Sequence, residues 1–337
     1  MGDERFCPNC GATLREQVKP IKPPAKRPFW TAPVVALVVA TVIMAILIPS
    51  LFLPLVEVKD SASESVPFQA TVDRIDLEFR GDMSDVDLVF AEMEGKLLNI
   101  DVEMDGRRGV LSSETVLELN LGHRVQTVGT EQVMFIEISV DSTPELTLFP
   151  WGSVDCEVTI DPDRICDVYA RTDMGTVRMD VPADVQLGEV YLKSSTGRVD
   201  LRLDEGAVVS DDITLETGTG EVRLDWERVS MLEDVALVLD TDTGSISMNV
   251  DQEEMTSDVE MIAHTDTGTV ELRLDIVDDV GAQITSDVDV GDIEVIEDDG
   301  FEGVDDFLRS ENYPGGGNFM IDLSTDTGSI EIEASWE

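Results

Sequence analysis

Apolar and polar residues alternate with a period of two along most of the chain after residue 67. Clear examples are VDLVF at 86–90, VLEL at 116–119 and VDCEVTI at 154–160. This alternation is typical of β-strands that bury one face and expose the other. The sequence therefore predicts an all-β fold for the larger part of the chain.

A short motif recurs within this pattern at nearly constant spacing. Its strongest copies are TDTGSISM at 241–248, TDTGTVEL at 265–272 and TDTGSIEI at 325–332. Weaker copies retain the glycine, and the seven motif glycines are Gly175, Gly197, Gly220, Gly244, Gly268, Gly291 and Gly328. Successive glycines are 22, 23, 24, 24, 23 and 37 residues apart. A period of this length predicts stacked repeats, because one unit cannot bury its apolar face alone.

Each repeat reads as two strands joined at the glycine. Glycine suits a corner since it reaches positive φ at little steric cost. We expect the Thr or Ser residues just before it to form a hydroxyl ladder at a semi-buried corner. We predict a β-solenoid, with a β-sandwich of regular hairpins as the alternative. In the repeat around Gly220, the expected inward residues are Ile213, Leu215, Thr217, Thr219, Val222, Leu224 and Trp226.

The repeated pattern (Ser/Thr)-x-(Thr/Ser)-Gly-x-(Ile/Val)-x-(Leu/Ile/Val) resembles the “putative adhesin” β-strand-repeat family. The resemblance covers residues 165–337 and extends to 67–164, where the glycine period is missing. It implies a surface-exposed, right-handed β-solenoid without known catalytic residues. We interpret 67–164 as irregular opening coils of the same structure or as a small adjoining β-domain.

The last repeat interval departs from the period by about 14 residues. We expect this insertion, around residues 301–308 and 314–317, to loop out of the stack. Its apolar residues have helical spacing, which predicts a short helix that caps or covers the last coil. Those residues are Phe301, Val304, Phe307 and Leu308.

The N-terminus carries a Cys-Pro-Asn-Cys-Gly knuckle within residues 1–14. Cys7 and Cys10 have the spacing of two thiolates that share one tetrahedral zinc ion, and the motif resembles half of a zinc ribbon. Two more ligands would have to come from a second copy of the chain, by self-association, or from a partner protein. An unmetallated knuckle and a redox pair are the alternatives. A basic, proline-rich linker follows at 15–29.

Residues 30–53 are apolar and uncharged, and they are long enough for one transmembrane helix. Basic residues precede this segment and acidic residues follow it, so we expect the N-terminus in the cytoplasm and the rest of the chain outside the cell membrane. Residues 54–66 are predicted to be a polar stalk. The cell membrane is thus the predicted location, with an extracellular C-terminal region.

Charge is distributed very unevenly along the chain, whose formal net charge is −48. Residues 1–29 hold six basic and three acidic side chains, whereas residues 57–337 hold 17 basic and 68 acidic ones. So negative a region repels phosphate, which excludes nucleic acid as a partner. It favours small cations, basic protein surfaces or life in concentrated salt.

Several aspartate, cysteine and histidine residues are candidates for catalysis, disulfide formation or metal binding. Asp242, Asp266 and Asp326 lie in Asp-Thr-Gly, a motif also found in aspartic proteases, but the alternation places them toward solvent. Cys156 and Cys166 are predicted to be either a disulfide or two buried free thiols. His123 and His264 are far apart and indicate structural roles. Stacked aspartates could bind calcium, with Asp287, Asp289 and Asp292 as further ligands, although a diffuse acidic surface is the stronger interpretation.

The sequence therefore indicates a non-enzymatic, membrane-anchored protein that acts as a surface scaffold or adhesion module. The alternative is an envelope sensor that relays the state of the outer region to a cytoplasmic partner held by the N-terminal knuckle. The ligand and the protein partner are not specified by any motif.

Overall fold

A computed structural model of the chain describes residues 55–109, 116–143, 151–277 and 279–336. The predicted knuckle, linker and transmembrane helix fall in residues 1–54, outside the described residues. Every regular element that the structure describes is a β-strand, which confirms the all-β prediction for this part. Within the same residues no helix is long and apolar enough to cross a membrane.

Eighteen strands pair into one continuous hydrogen-bonded network. In chain order they are β1 (Leu55–Pro67), β2 (Arg74–Met83), β3 (Asp85–Phe90), β4 (Lys96–Gly109), β5 (Val116–Val128), β6 (Glu131–Thr143), β7 (Trp151–Ile160), β8 (Ile165–Val181), β9 (Gln186–Leu203), β10 (Val208–Val209), β11 (Ile213–Glu227), β12 (Ser230–Met231), β13 (Val235–Gln252), β14 (Val259–Ile276), β15 (Val280–Asp299), β16 (Phe301–Val304), β17 (Phe307–Ser310) and β18 (Gly317–Trp336).

Seven of the long strands lie side by side, parallel and in register. Their spatial order is β8, β9, β11, β13, β14, β18 and β15. The pairing sets each repeat on the next, so that Leu215 lies between Leu192 and Leu239. Apolar side chains of successive repeats therefore meet in one core, as the period predicts.

The chain before residue 165 continues this stack. β2 and β3 both pair in parallel with β8, and β6 and β7 lie beyond them. Antiparallel strands then complete this end, with β5 on β6, β4 on β7 and β1 on β4. Residues 67–164 thus extend the repeat region, and their buried side chains belong to the same core cluster.

The prediction of a polar stalk at 54–66 is wrong for residues 55–66, because these residues belong to strand β1. Leu55 pairs with Gly109 at one end and Pro67 with Lys96 at the other. The sequence shows no alternation here because residues 59–65 of β1 bury neither face in the core. Of residues 59–66, only Val66 is buried.

The predicted helix at 301–308 is also wrong, because these residues form the hairpin β16–β17. β17 pairs antiparallel with residues 283–285 of β15. The following glycines do not loop out freely, since the amide of Gly316 donates to the carbonyl oxygen of Asp279 at 2.7 Å. A Cβ on Gly315 would overlap that same carbonyl group, so the chain passes here where only glycine fits.

One buried polar side chain joins the core to a loop. The indole nitrogen of Trp226 donates to Oε1 of Gln252 at 2.9 Å, and the amide of Val229 donates to the same oxygen at 3.1 Å. Nε2 of Gln252 donates to the carbonyl oxygen of Val229 at 3.1 Å. Trp226 also packs edge-on against Phe319, with ring centroids 6.4 Å apart. Gln252 is therefore buried with its hydrogen bonds satisfied.

Candidate functional site

The seven motif glycines form a single column across the stacked strands. Their φ angles lie between 126° and 156°, a region that is essentially restricted to glycine. A Cβ on Gly220 would overlap the carbonyl oxygen of Gly197, and one on Gly244 would overlap that of Gly220. The column therefore needs glycine for two reasons, the backbone angle and the close approach of the neighbouring repeat.

The buried face changes at the corner, which the simple alternation did not predict. Thr241, three residues before its glycine, is fully buried, whereas Thr243, one residue before it, is exposed. Thr219 is likewise exposed, so its predicted inward position is wrong. The backbone turns before the glycine, and this turn carries the last residue outward. The hydroxyl ladder consists of Thr172, Ser194, Thr217, Thr241, Thr265 and Thr325.

The two halves of this ladder differ in hydrogen bonding. Oγ of Ser194 donates to the carbonyl oxygen of Gly175 at 2.8 Å, and Oγ1 of Thr217 donates to that of Gly197 at 3.3 Å. The buried hydroxyls of Thr241, Thr265 and Thr325 have no hydrogen-bond partner among the described residues. A buried hydroxyl without a partner costs stability.

The aspartates of the Asp-Thr-Gly motifs lie at the exposed side of the corner. Asp242, Asp266 and Asp326 are all exposed, one on each of the neighbouring strands β13, β14 and β18. An aspartic protease needs two carboxyl groups that share one proton in a confined site. Exposed carboxylates on an outer edge do not provide that environment.

A shallow groove of about 620 Å³ follows the glycine column on the outside of the corner. Its floor is glycine backbone, and its wall comes from the residue after each glycine, including Thr176, Arg198, Glu221 and Ser245. Arg198 forms an ion pair with Glu221 at 2.5 Å. The groove is open, and its side chains include hydrogen-bond donors and acceptors.

An outward cluster sits over β8, β9 and β11. The rings of Tyr169 and Tyr191 are stacked, with centroids 4.8 Å apart, and the hydroxyl of Tyr191 donates to Glu216 at 2.5 Å. Lys193 forms an ion pair with the same carboxylate. Burial alone would raise the pKa of Glu216, but the hydrogen bonds from Lys193 and Tyr191 outweigh it and lower that pKa. These contacts connect the neighbouring strands β8, β9 and β11.

The two described cysteines, Cys156 and Cys166, are buried free thiols and do not form a disulfide. Cys156 lies on β7 beside Val86 and Val102, whereas Cys166 lies on β8 beside Ile75 and Leu187. Burial raises the pKa of Cys156 to about 12 and raises that of Cys166 further. Neither thiol is a nucleophile at neutral pH.

The histidines lie on separate strands. His123 is exposed on β5, while Nδ1 of His264 lies 2.9 Å from Oγ of Ser324 and Nε2 lies 3.2 Å from Asp266. His264 thus bridges β14 and β18.

The three acidic side chains that the sequence offers as further calcium ligands lie on β15. Asp287, Asp289 and Asp292 are exposed side chains along this strand. In the part of the chain that the structure describes, no group of three His, Cys, Asp or Glu side chains is arranged to hold a metal ion.

No protein-family model and no curated protein matches the chain. Among solved structures, a “putative cell adhesion protein” from Clostridium sporogenes is 12% identical, with a TM-score of 0.37, over 82% of this chain and 100% of that one. A “putative lipid binding protein” from Parabacteroides distasonis is 11% identical, with a TM-score of 0.34, over 82% and 97%. A “putative adhesin” from Bacteroides fragilis is 8% identical, with a TM-score of 0.25, over 81% and 96%.

Proposed function

We propose that this chain is a membrane-anchored surface scaffold or adhesion module that works by binding and not by catalysis. Residues 30–53 anchor it, and the repeat region lies outside the cell as a right-handed β-solenoid. The observation that carries the proposal is the in-register stack of seven parallel strands around one glycine column. Such a stack presents a long, regular surface, which is how repeat proteins bind partners.

The stacking pattern supports a solenoid over a sandwich. Each interior strand of the stack pairs in parallel with its two spatial neighbours, at the same position in the repeat. A sandwich of hairpins would instead pair successive strands antiparallel.

The chemistry of the described residues supports a binding role. The motif aspartates face solvent, and the free thiols are buried with raised pKa values. The groove along the glycine column is open and is lined by glycine backbone together with hydroxyl and charged side chains, which can contact a bound molecule.

The membrane topology is tested by cysteine accessibility in intact cells. In a Cys7→Ser, Cys10→Ser background, one variant carries Glu16→Cys and another carries Leu232→Cys, whose side chain is 63% exposed. A membrane-impermeant maleimide should label the Leu232 variant in intact cells and the Glu16 variant only after lysis. The reverse pattern would place the repeat region in the cytoplasm and refute the proposal.

A co-purification experiment separates the scaffold from the sensor. A cytoplasmic partner that is lost on Cys7→Ser would favour relay of a signal. Partners that bind only the outer region and are retained by this variant would favour the scaffold.

A further inference from the structure

Strand β15 lies at the end of the stack, and one side of its second half has no neighbouring strand among the described residues. β18 lies along β15 from Val280 to Asp299, whereas β17 pairs on the opposite side only with Gln283–Thr285. The amide of Ser286 then donates to the carbonyl oxygen of Asp306 at 3.1 Å. Among the described residues no further backbone partner follows on this side. Residues 287–295 are therefore an open strand edge, called the free edge below.

The free edge leaves part of the apolar core without a cover. Val288, Ile293 and Val295 pack against the core but are only partly buried, because no further repeat lies over them. Val290 is 64% exposed on the same strand. A groove of about 380 Å³ separates Val288 and Ile293 from Val304 on the β16–β17 hairpin. One more strand would fit against this edge and cover these side chains.

The charge around the free edge is uniformly negative. Residues 280–308 contain ten Asp or Glu side chains and no Lys, Arg or His. Asp287, Asp289 and Glu294 are exposed along the edge, and Asp305 and Asp306 stand on the facing wall of the groove. Charges of one sign repel a second copy of the same edge and attract a cationic strand.

We propose that the free edge binds an extended cationic segment of a partner protein, which adds to β15 as a further strand. This inference rests on the proposed binding function and names its site and the class of ligand. Main-chain hydrogen bonds to residues 287–295 supply the affinity. Apolar side chains of the segment cover Val288, Ile293 and Val295, while its alternate Lys or Arg side chains face the surrounding carboxylates.

The first test uses a nine-residue peptide of alternating Lys and Val and the full chain in detergent micelles at 0.15 M salt. Fluorescence anisotropy should show saturable binding. A peptide with the same residues, N-methylated at its five central positions, should bind at least about tenfold more weakly because its amides no longer donate hydrogen bonds. If the two peptides bind within about twofold of each other, the attraction is general charge attraction and the proposal fails.

The second test locates the peptide on the chain with two variants of equal charge. The edge variant carries Asp289→Asn, Asp292→Asn and Glu294→Gln. The distant variant carries Glu92→Gln, Glu103→Gln and Glu118→Gln, which are exposed near the opposite end of the stack. The edge variant should weaken binding at least about tenfold, and the distant variant by less than about twofold, because only the first removes charge next to the bound strand. Equal losses would overturn the proposal.

Sedimentation of the same samples tests the competing occupant. A second copy occupies the free edge if three results occur together: the chain dimerises without peptide, the edge variant has a different dimerisation constant, and the peptide does not bind. That outcome would show that the proposal is wrong. A failure of peptide binding would leave the maleimide labelling pattern unchanged, so the proposed surface location and the proposed ligand are tested separately.

Discussion

Gly268 lies directly beside Gly328, which is 60 residues further along the chain, and not beside Gly291, the next motif glycine in sequence. The final strand β18 is inserted between β14 and β15, so the stack does not follow chain order at this end. The long last interval is the length of chain that turns back through the β16–β17 hairpin before entering the stack.

Cross-linking should report this strand order. Neighbouring strands lie about 4.8 Å apart, within the Cα separation that a disulfide can bridge, and strands two apart are beyond it. In a Cys7→Ser, Cys10→Ser background, Glu271→Cys with Glu331→Cys should cross-link on oxidation, because these positions are paired on β14 and β18. Glu294→Cys with Glu331→Cys should also cross-link. Efficient cross-linking of Glu271→Cys with Glu294→Cys instead would mean that the strands stack in chain order.

Substitution of a column glycine should be severely destabilising. Gly268→Ala places a Cβ against the carbonyl oxygen of Gly244 at a φ of 155°, so we expect a loss of roughly 3 kcal/mol or more. Gly122→Ala is the matched control, because its nearest neighbouring atom would be 3.9 Å away and its φ is not positive. Thermal unfolding of both variants measures the difference. Similar melting temperatures would show that the column tolerates a side chain.

The hydroxyl ladder gives a prediction with opposite signs at two equivalent positions. Thr241→Val removes a buried hydroxyl that has no partner among the described residues, so we expect stabilisation of up to about 1 kcal/mol. Thr217→Val removes a hydroxyl that donates to Gly197 and should destabilise by about 1 kcal/mol. Chemical denaturation of the two variants provides the comparison. A loss of stability at both positions would indicate that Thr241 also makes a stabilising hydrogen bond.

At low salt, stability should increase as the pH falls from neutral toward the unfolded aspartate pKa of about 3.9. Burial raises the pKa of five partly buried carboxyl groups, so the folded chain holds their protons more tightly than the unfolded chain does. The stability that they contribute is complete below their unfolded pKa of about 3.9 and is lost as the pH rises through the folded values. Glu216, whose pKa is lowered, contributes in the opposite direction. The five groups are Asp76, Asp87, Asp167, Asp200 and Asp240.

Melting temperatures at several pH values, in dilute and in molar salt, measure this effect. Molar salt should raise the melting temperature at pH 7.5, because it screens the repulsion among 68 acidic and only 17 basic side chains in residues 57–337. A melting temperature that falls steadily from neutral pH to about pH 4, or lower stability in molar salt, would contradict the prediction.

Zinc at the N-terminal knuckle remains a prediction with a definite stoichiometry. Cys7 and Cys10 supply two thiolates, whereas a structural zinc site needs four ligands. If two copies complete the site, the purified full chain should contain one zinc ion for every two chains, and Cys7→Ser should remove both the metal and the association. Elemental analysis combined with light scattering tests this. Purified chain without zinc, or with one ion per chain, would contradict a site shared between two copies.

Much of the local structure could be predicted from residue pattern alone. The period-two alternation and the recurring glycine fix which segments are strands and where they bend, because these depend on local sterics and on which residues are apolar. The exposure of Asp242 also follows from alternation. Positions near the bend were harder, since the turn of the backbone exposes Thr243 although it lies two residues after the buried Thr241.

The sequence by itself therefore determined the repeat, its glycine corner and its acidic exterior, whereas the tertiary structure decided the order of the strands. A strand inside the stack needs an uncharged residue at every inward position, because it has a neighbour on both sides and its inward side chains are buried. β18 meets this need with Ile330, Ile332 and Ala334, but β15 has a bulge after Val295 and then pairs Asp298 with Ala334. A charged residue at that position is tolerated at an open end and not in an interior repeat. The position of β18 inside the stack and of β15 at its edge therefore depends on packing between segments that are far apart in the sequence, which the local residue pattern does not specify.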